Sequence, residues 1–187
     1  MNHPFRLAEL QEPRVAFTAA DFERMLKLGA FADMRAELVG GALVKMMPAL
    51  PGHGERNATL VLRLHATING QPLAIATDLA IRIDDLTVRA ADIAIYPDTL
   101  PQDEVPDGAD ILLAVEIADT TLARDLGEKF ADYGRAAVPN YWVVDAAARV
   151  VHVMTSPKPD GGYADRQVAR FGDPVPVPWS DVPVTLD

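Results

Sequence analysis

The stretch Ala109–Thr121, ADILLAVEIADTT, decides how the chain is read. Ile111, Leu112, Leu113, Ala114, Val115 and Ile117 make the kind of apolar run found in buried strands. Glu116 interrupts it. An ionised carboxylate in a buried strand is costly unless charge or hydrogen bonds offset it. Glu116 therefore needs a partner, and the flanking sequence offers two kinds.

The first lies downstream. LARDLGEKFADYGRAA, residues 122–137, has helical character, and Pro139 suits a stop just beyond it. Asp125, Lys129 and Tyr133 are spaced i, i+4, i+8 and share a face, with Arg124 and Glu128 beside it. A solvated stripe with an i,i+4 ion pair, worth about 0.2–0.5 kcal/mol, has the same spacing. The alternative is that Lys129 turns inward, toward Glu116.

The second kind of partner is a cation shared with other acids. Asp92 stands at the start of an apolar run in VRAADIAIY, residues 88–96, and Glu37 opens AELVGG, residues 36–41. Three acids in strand-like surroundings suggest one hard divalent ion, since Mg²⁺ prefers oxygen ligands and needs only one or two carboxylates. Asp92 and Glu116 meet if their strands are neighbours and both side chains take the same face.

Elsewhere, FTAADFERMLKLGAF predicts a helix with a capping-box start at Thr18 and Asp21. Gly40-Gly41 predicts a hairpin within residues 36–47. PALPGHG reads as a loop, and residues 55–69 as a second helix with Leu60, Leu64 and Ile68 on one face. Strands follow at 72–83, 88–96 and 111–119, then at 140–145, 148–155 and 163–171. The order predicts an α/β (α+β) domain with one mixed sheet flanked by helices. Trp142 and Tyr141 read as core, Trp179 as a cap on it, Asp145 as a turn residue, and His65 and His152 as core or surface.

With 187 residues and 49% hydrophobic content, the chain suits a single domain, 1–187, with 1–16 and 174–187 as peripheral extended segments. The absence of cysteine excludes disulfides, thiolate chemistry and cysteine zinc sites, and fits the cytoplasmic location expected here. MNHPFRLAEL has no signal-peptide pattern, and no apolar run approaches the ~20 residues that span a bilayer, so no membrane role is expected. The net charge of −10 opposes polyanion binding, which Lys and Arg drive. Motifs for phosphate loops, zinc proteases, serine hydrolases and dinucleotide binding are missing.

AELVGG with PGHG, then VRAAD, VEIADTT and DLGEKFADYGRAAVPNYWVVD together resemble the Uma-type restriction endonuclease-like family of the PD-(D/E)XK nuclease superfamily. The resemblance spans roughly residues 17–153 and is most specific over 115–145. It implies a restriction endonuclease-like fold and a Mg²⁺- or Mn²⁺-dependent endonuclease acting on nucleic acid, DNA foremost; cleavage of both strands would favour a homodimer with two active sites. It implies that Asp92 and Glu116 bind the metal, that Glu37 contacts it directly or through water, and that Lys129 is the catalytic lysine. That lysine ordinarily lies two residues after the Glu, where this chain has Ala118. Pro commonly precedes the motif Asp; here it is Ala91. Asp125 and Tyr133 are supporting candidates, Arg89 is a candidate phosphate or acid partner, and His53 matches a position often held by His. Two alternatives stand beside this reading: a non-catalytic interaction module that keeps the nuclease fold, and a metal phosphohydrolase of small nucleotides.

Overall fold

A computed structural model describes residues 15–187. Of the segment 1–16, residues 1–14 lie outside the described residues. An eight-stranded mixed sheet organises the chain. Its path runs β2 (Ala42–Lys45), β1 (Ala36–Val39), β4 (Thr87–Pro97), β5 (Leu113–Ala118), β6 (Asn140–Asp145), β7 (Val150–Pro157) and β8 (Tyr163–Arg170), with β3 (Leu73–Asp84) also paired to β4. β5 and β6 are parallel. Parallel neighbours need a crossover, and it is made by α3 (Leu122–Asp125) and α4 (Glu128–Arg135).

Side chains alternate along β5 and sort onto two faces. Val115 and Ile117 join Leu60, Leu64 and Ile68 of α2 (Pro51–Ile68) in one apolar cluster. Ala114 and Ala118 join Tyr133, Tyr141 and Val143 in a second cluster, beneath α4. Small residues at 91, 94, 114 and 118 leave room there for long polar side chains. A third cluster holds Phe22 of α1 (Ala19–Lys27), with Leu38 and Val88.

Three expectations need correction. Helix α2 begins at Pro51, so most of PALPGHG's second half is helical; Pro tolerates the first helical position because its missing N–H has no partner there. The predicted helix 122–137 is two helices. Gly127 breaks it at φ −115° and ψ −91°, and a Cβ there would sit 2.7 Å from the Ala123 carbonyl oxygen. The tail is not a mere surface segment. Pro174–Val177 (β9) pairs with Ser180–Thr185 (β10), and Val175, Val177, Val184 and Leu186 are buried in the α2-side core. The Pro-Val alternation turns the prolines outward and the valines inward. Trp179 packs against the same core, with its Nε1 donating to Thr67 Oγ1 at 3.0 Å. Tyr141 and Trp142 are core residues, His65 is exposed, and Asp145 accepts from Ala148 N in a turn.

Gly134 ties α4 to the turn before β8. A Cβ at that position would lie 2.1 Å from the Gly162 carbonyl oxygen, with backbone on every near side. Gly134→Ala is expected to cost about 3 kcal/mol of unfolding free energy in urea titration. Gly54→Ala, in helix α2 with open space around the new methyl, is expected to gain about 0.5–1 kcal/mol.

Candidate active site

The ladder between β4 and β5 ends at Ile93–Val115. Asp92 and Glu116 are the next pair in that register, and directly opposed residues share a face. Beyond the last ladder pair the Asp92 carboxylate takes a donor itself: Ile117 N–H donates to Asp92 Oδ2 at 2.7 Å. Asn57 Nδ2 donates to the Asp92 carbonyl at 3.2 Å. The aspartate is thereby fixed at the point where the two strands part.

Lys129 reaches this point from α4 and is fully buried. Its Nζ lies 2.8 Å from Glu116 Oε1 and 3.2 Å from Glu37 Oε1, and donates to the Ala90 carbonyl at 3.0 Å. Burial alone would lower the Lys129 ammonium's pKa; Glu116, then Glu37, outweigh it and raise the pKa above its ordinary value. Tyr133 Oη also donates to Glu116 Oε1, at 2.9 Å. Both donors converge on Oε1, and among the described residues none is directed at Oε2.

Glu116 still carries excess negative surroundings. Burial pushes its carboxyl well above the ordinary carboxylate range; Lys129 opposes this, while Asp92 and Asp125 add to it. Asp125 is raised by burial too, against a 2.5 Å hydrogen bond from Thr121 Oγ1. The Tyr133 hydroxyl is pushed well up by burial and by Glu116, so it stays a donor.

Glu37 is fully buried and surrounded by donors. Oε1 accepts from Ala90 N–H at 3.1 Å and faces Lys129; Oε2 faces Arg89 Nη1 at 3.2 Å and Arg124 Nη2 at 3.6 Å. Burial would raise this carboxyl, yet Lys129, Arg124, the Ala90 N–H and Arg89 together hold it below the ordinary range. Arg89 is itself buried and bridges Glu37 to Asp132 on α4, with Nε 2.7 Å from Asp132 Oδ2.

The mouth of the site is lined by residues nearer the surface. His53 on α2 lies with Nε2 3.5 Å from Asp92 Oδ1 and Nδ1 3.3 Å from Asp119 Oδ2. Arg56 pairs with Asp119. Asp78 was missed by sequence reasoning. It stands between the pairs Thr77–Ile93 and Leu79–Ala91, hence opposite Asp92, in the left-handed region at φ 54°. Its carboxyl is raised by burial and by Asp92, against Arg35 at 2.5 Å. The available signal was an acid in the middle of the apolar strand LAIATDLAIRID.

The structure therefore brings Glu37, Asp92, Glu116 and Lys129 into one polar cluster, with Arg89, Asp125, Tyr133 and His53 around it. No group of three or more His, Asp and Glu side chains forms a ready-made metal cage among the described residues. Two carboxylates suffice for Mg²⁺, which keeps several waters. Asp92 Oδ1 and Glu116 Oε2, each outside the hydrogen bonds that fix its partner oxygen, are donors of that kind. Several arginines are committed to acids: Arg63 pairs with Asp187, Arg82 with Glu23, and Arg135 with Asp132.

A family model, Uma2, described as "Putative restriction endonuclease", matches residues 19–180. The chain belongs to the Uma2 family. A crystal structure from Anabaena variabilis ATCC 29413, titled as a putative nuclease belonging to DUF820, superposes with a TM-score of 0.62 at 15% identity. The match covers 78% of this chain and 83% of that one and shows a shared fold. None of the curated proteins matches this chain. No helix among the described residues is long and apolar enough to cross a membrane.

The raised Glu116 carboxyl sets a pH dependence. A proton bound more tightly in the folded state stabilises it below the unfolded pKa, and that stabilisation is lost as pH rises. In chelator, unfolding free energy is expected to decline with pH above the ordinary carboxylate range, and Glu116→Gln to flatten that decline.

Proposed function

We propose that this Uma2 family member is a Mg²⁺- or Mn²⁺-dependent endonuclease that hydrolyses nucleic-acid phosphodiester bonds, with DNA as the preferred substrate. The observation that carries the reading is the meeting of Asp92 and Glu116 at the parting of β4 and β5, with the Lys129 ammonium 2.8 Å from Glu116. A divalent cation bound there would neutralise the scissile phosphate and acidify a coordinated water.

The chain's own groups have distinct tasks in this reading. Ile117 N–H fixes the Asp92 carboxylate, and Tyr133 Oη with Lys129 fixes that of Glu116. Asp92 and Glu116 would hold the metal. The Lys129 ammonium orients the attacking water and offsets negative charge on the phosphoryl oxygens. Asp125 and Arg89 keep the helices and β4 in place around that ammonium. His53 restrains Asp92 from the α2 side. A two-fold dimer would set two such sites on opposite strands of a duplex.

The net charge of −10 and the acid-paired arginines favour weak association at physiological salt, or the non-catalytic alternative. Cleavage of plasmid and of labelled oligonucleotides with Mg²⁺, Mn²⁺ or chelator distinguishes them. Metal-dependent cleavage is expected, and Asp92→Asn or Lys129→Met should reduce it by about 10²–10³-fold. Activity that survives both substitutions contradicts the assignment. Failure of Mn²⁺ to bind in calorimetry selects the interaction module.

A further inference from the structure

Glu37 is the acid whose surroundings differ most from those of a metal ligand. An ionised carboxylate has about four lone-pair directions. Four groups surround Glu37: Ala90 N–H donates to Oε1 and Arg89 Nη1 to Oε2, while Lys129 Nζ at 3.2 Å and Arg124 Nη2 at 3.6 Å add ion-pair contacts. Three of these are cations. By contrast, Glu116 Oε2 faces none of these donors, and Asp92 Oδ1 faces only the His53 ring at the edge of the site, at 3.5 Å.

We infer that Glu37 is a positioning residue: it binds no metal, and it holds the Lys129 ammonium against Glu116 from the opposite side of the site. This rests on the proposed reading that Lys129 acts in phosphodiester cleavage. The physical case is one of restraint. A lysine has four rotatable bonds and three donors. The Lys129 ammonium meets Glu116 at 2.8 Å, donates to the Ala90 carbonyl, and is flanked by Glu37 at an ion-pair distance of 3.2 Å, which leaves one N–H uncommitted. Without Glu37, the ammonium is held by Glu116 alone among carboxylates. Glu37 is in turn fixed by Arg89, which is anchored at its other edge by Asp132 on α4. The chain β1–Glu37–Lys129–α4–Asp132–Arg89–Glu37 is thus a closed loop of buried contacts. It fixes α4 against the sheet by the same groups that aim the lysine.

The test combines metal binding, lysine labelling and kinetics on Glu37→Gln in the full-length protein. Mn²⁺ affinity by calorimetry is expected to stay within about twofold of wild type, while Asp92→Asn, the control, loses about tenfold or more. Lys129 is expected to resist acetylation by an amine-reactive ester in wild type and to react several-fold faster in Glu37→Gln. Lys27, Lys45 and Lys158 should be unchanged. Turnover should fall by about tenfold or more with KM within about twofold. A Mn²⁺ affinity lost as in Asp92→Asn overturns the inference and makes Glu37 a ligand. Unchanged labelling together with unchanged turnover also overturns it. Should Glu37→Gln fail to fold, Glu37→Asp keeps the charge, shortens the reach, and is held to the same outcomes. If the wild-type protein cleaves nothing, the proposed function fails, while labelling and Mn²⁺ binding still decide the role of Glu37.

Discussion

A buried ammonium holds this structure together. Lys129 is fully buried, donates to the Ala90 carbonyl, and is held between the carboxylates of Glu116 and Glu37 at 2.8 and 3.2 Å. Those partners come from β5, β1 and β4, three strands that follow one another in the sheet as β1-β4-β5. Each acid would be untenable alone at such depth, and so would the lysine. Together they oblige α4 to dock where it does. The strand sequence cooperates: Ala114 and Ala118 flank Glu116 on the same face and leave the volume that Lys129, Tyr133 and Tyr141 fill.

The break between α3 and α4 follows from the same requirement. A single straight helix from 122 to 137 would carry Asp125, Lys129 and Tyr133 on one continuous face. Gly127 leaves the helical region, so the first turn presents Asp125 and the second presents Lys129 as separately oriented units. Tyr141 Oη closes the junction by donating to the Asp125 carbonyl at 2.8 Å. The crossover joining two parallel strands thus also delivers the lysine, in place of one on the strand itself.

Much of this was legible in the sequence where a polar residue interrupts a regular pattern. Glu116 and Asp92 stand out because apolar strands seldom contain acids, and the succession of strands and helices rests on turn and helix signals that Gly and Pro mark plainly. What the sequence did not disclose depends on long-range pairing. Arg89 and Asp132 are 43 residues apart and Arg89 and Glu37 are 52 apart, so no local window relates them. Asp78 was overlooked because one acid in a long strand looks like surface alternation until its register opposite Asp92 is known. The tail was misjudged because four prolines suggest an exposed segment, whereas their alternation with valine gives one face fit for burial.

The acidic character of the chain and a nuclease role meet at the cluster of Asp92, Glu116 and Asp125, where lysine and arginine only partly offset the negative charge. A divalent cation is the chemistry that would complete it. The most direct measurement is an anomalous difference map from a crystal grown with Mn²⁺. The account predicts a peak in contact with Asp92 and Glu116, with Lys129 still paired to Glu37. A peak bound instead to Glu37, or no peak beside Asp92 and Glu116 at saturating Mn²⁺, would contradict it.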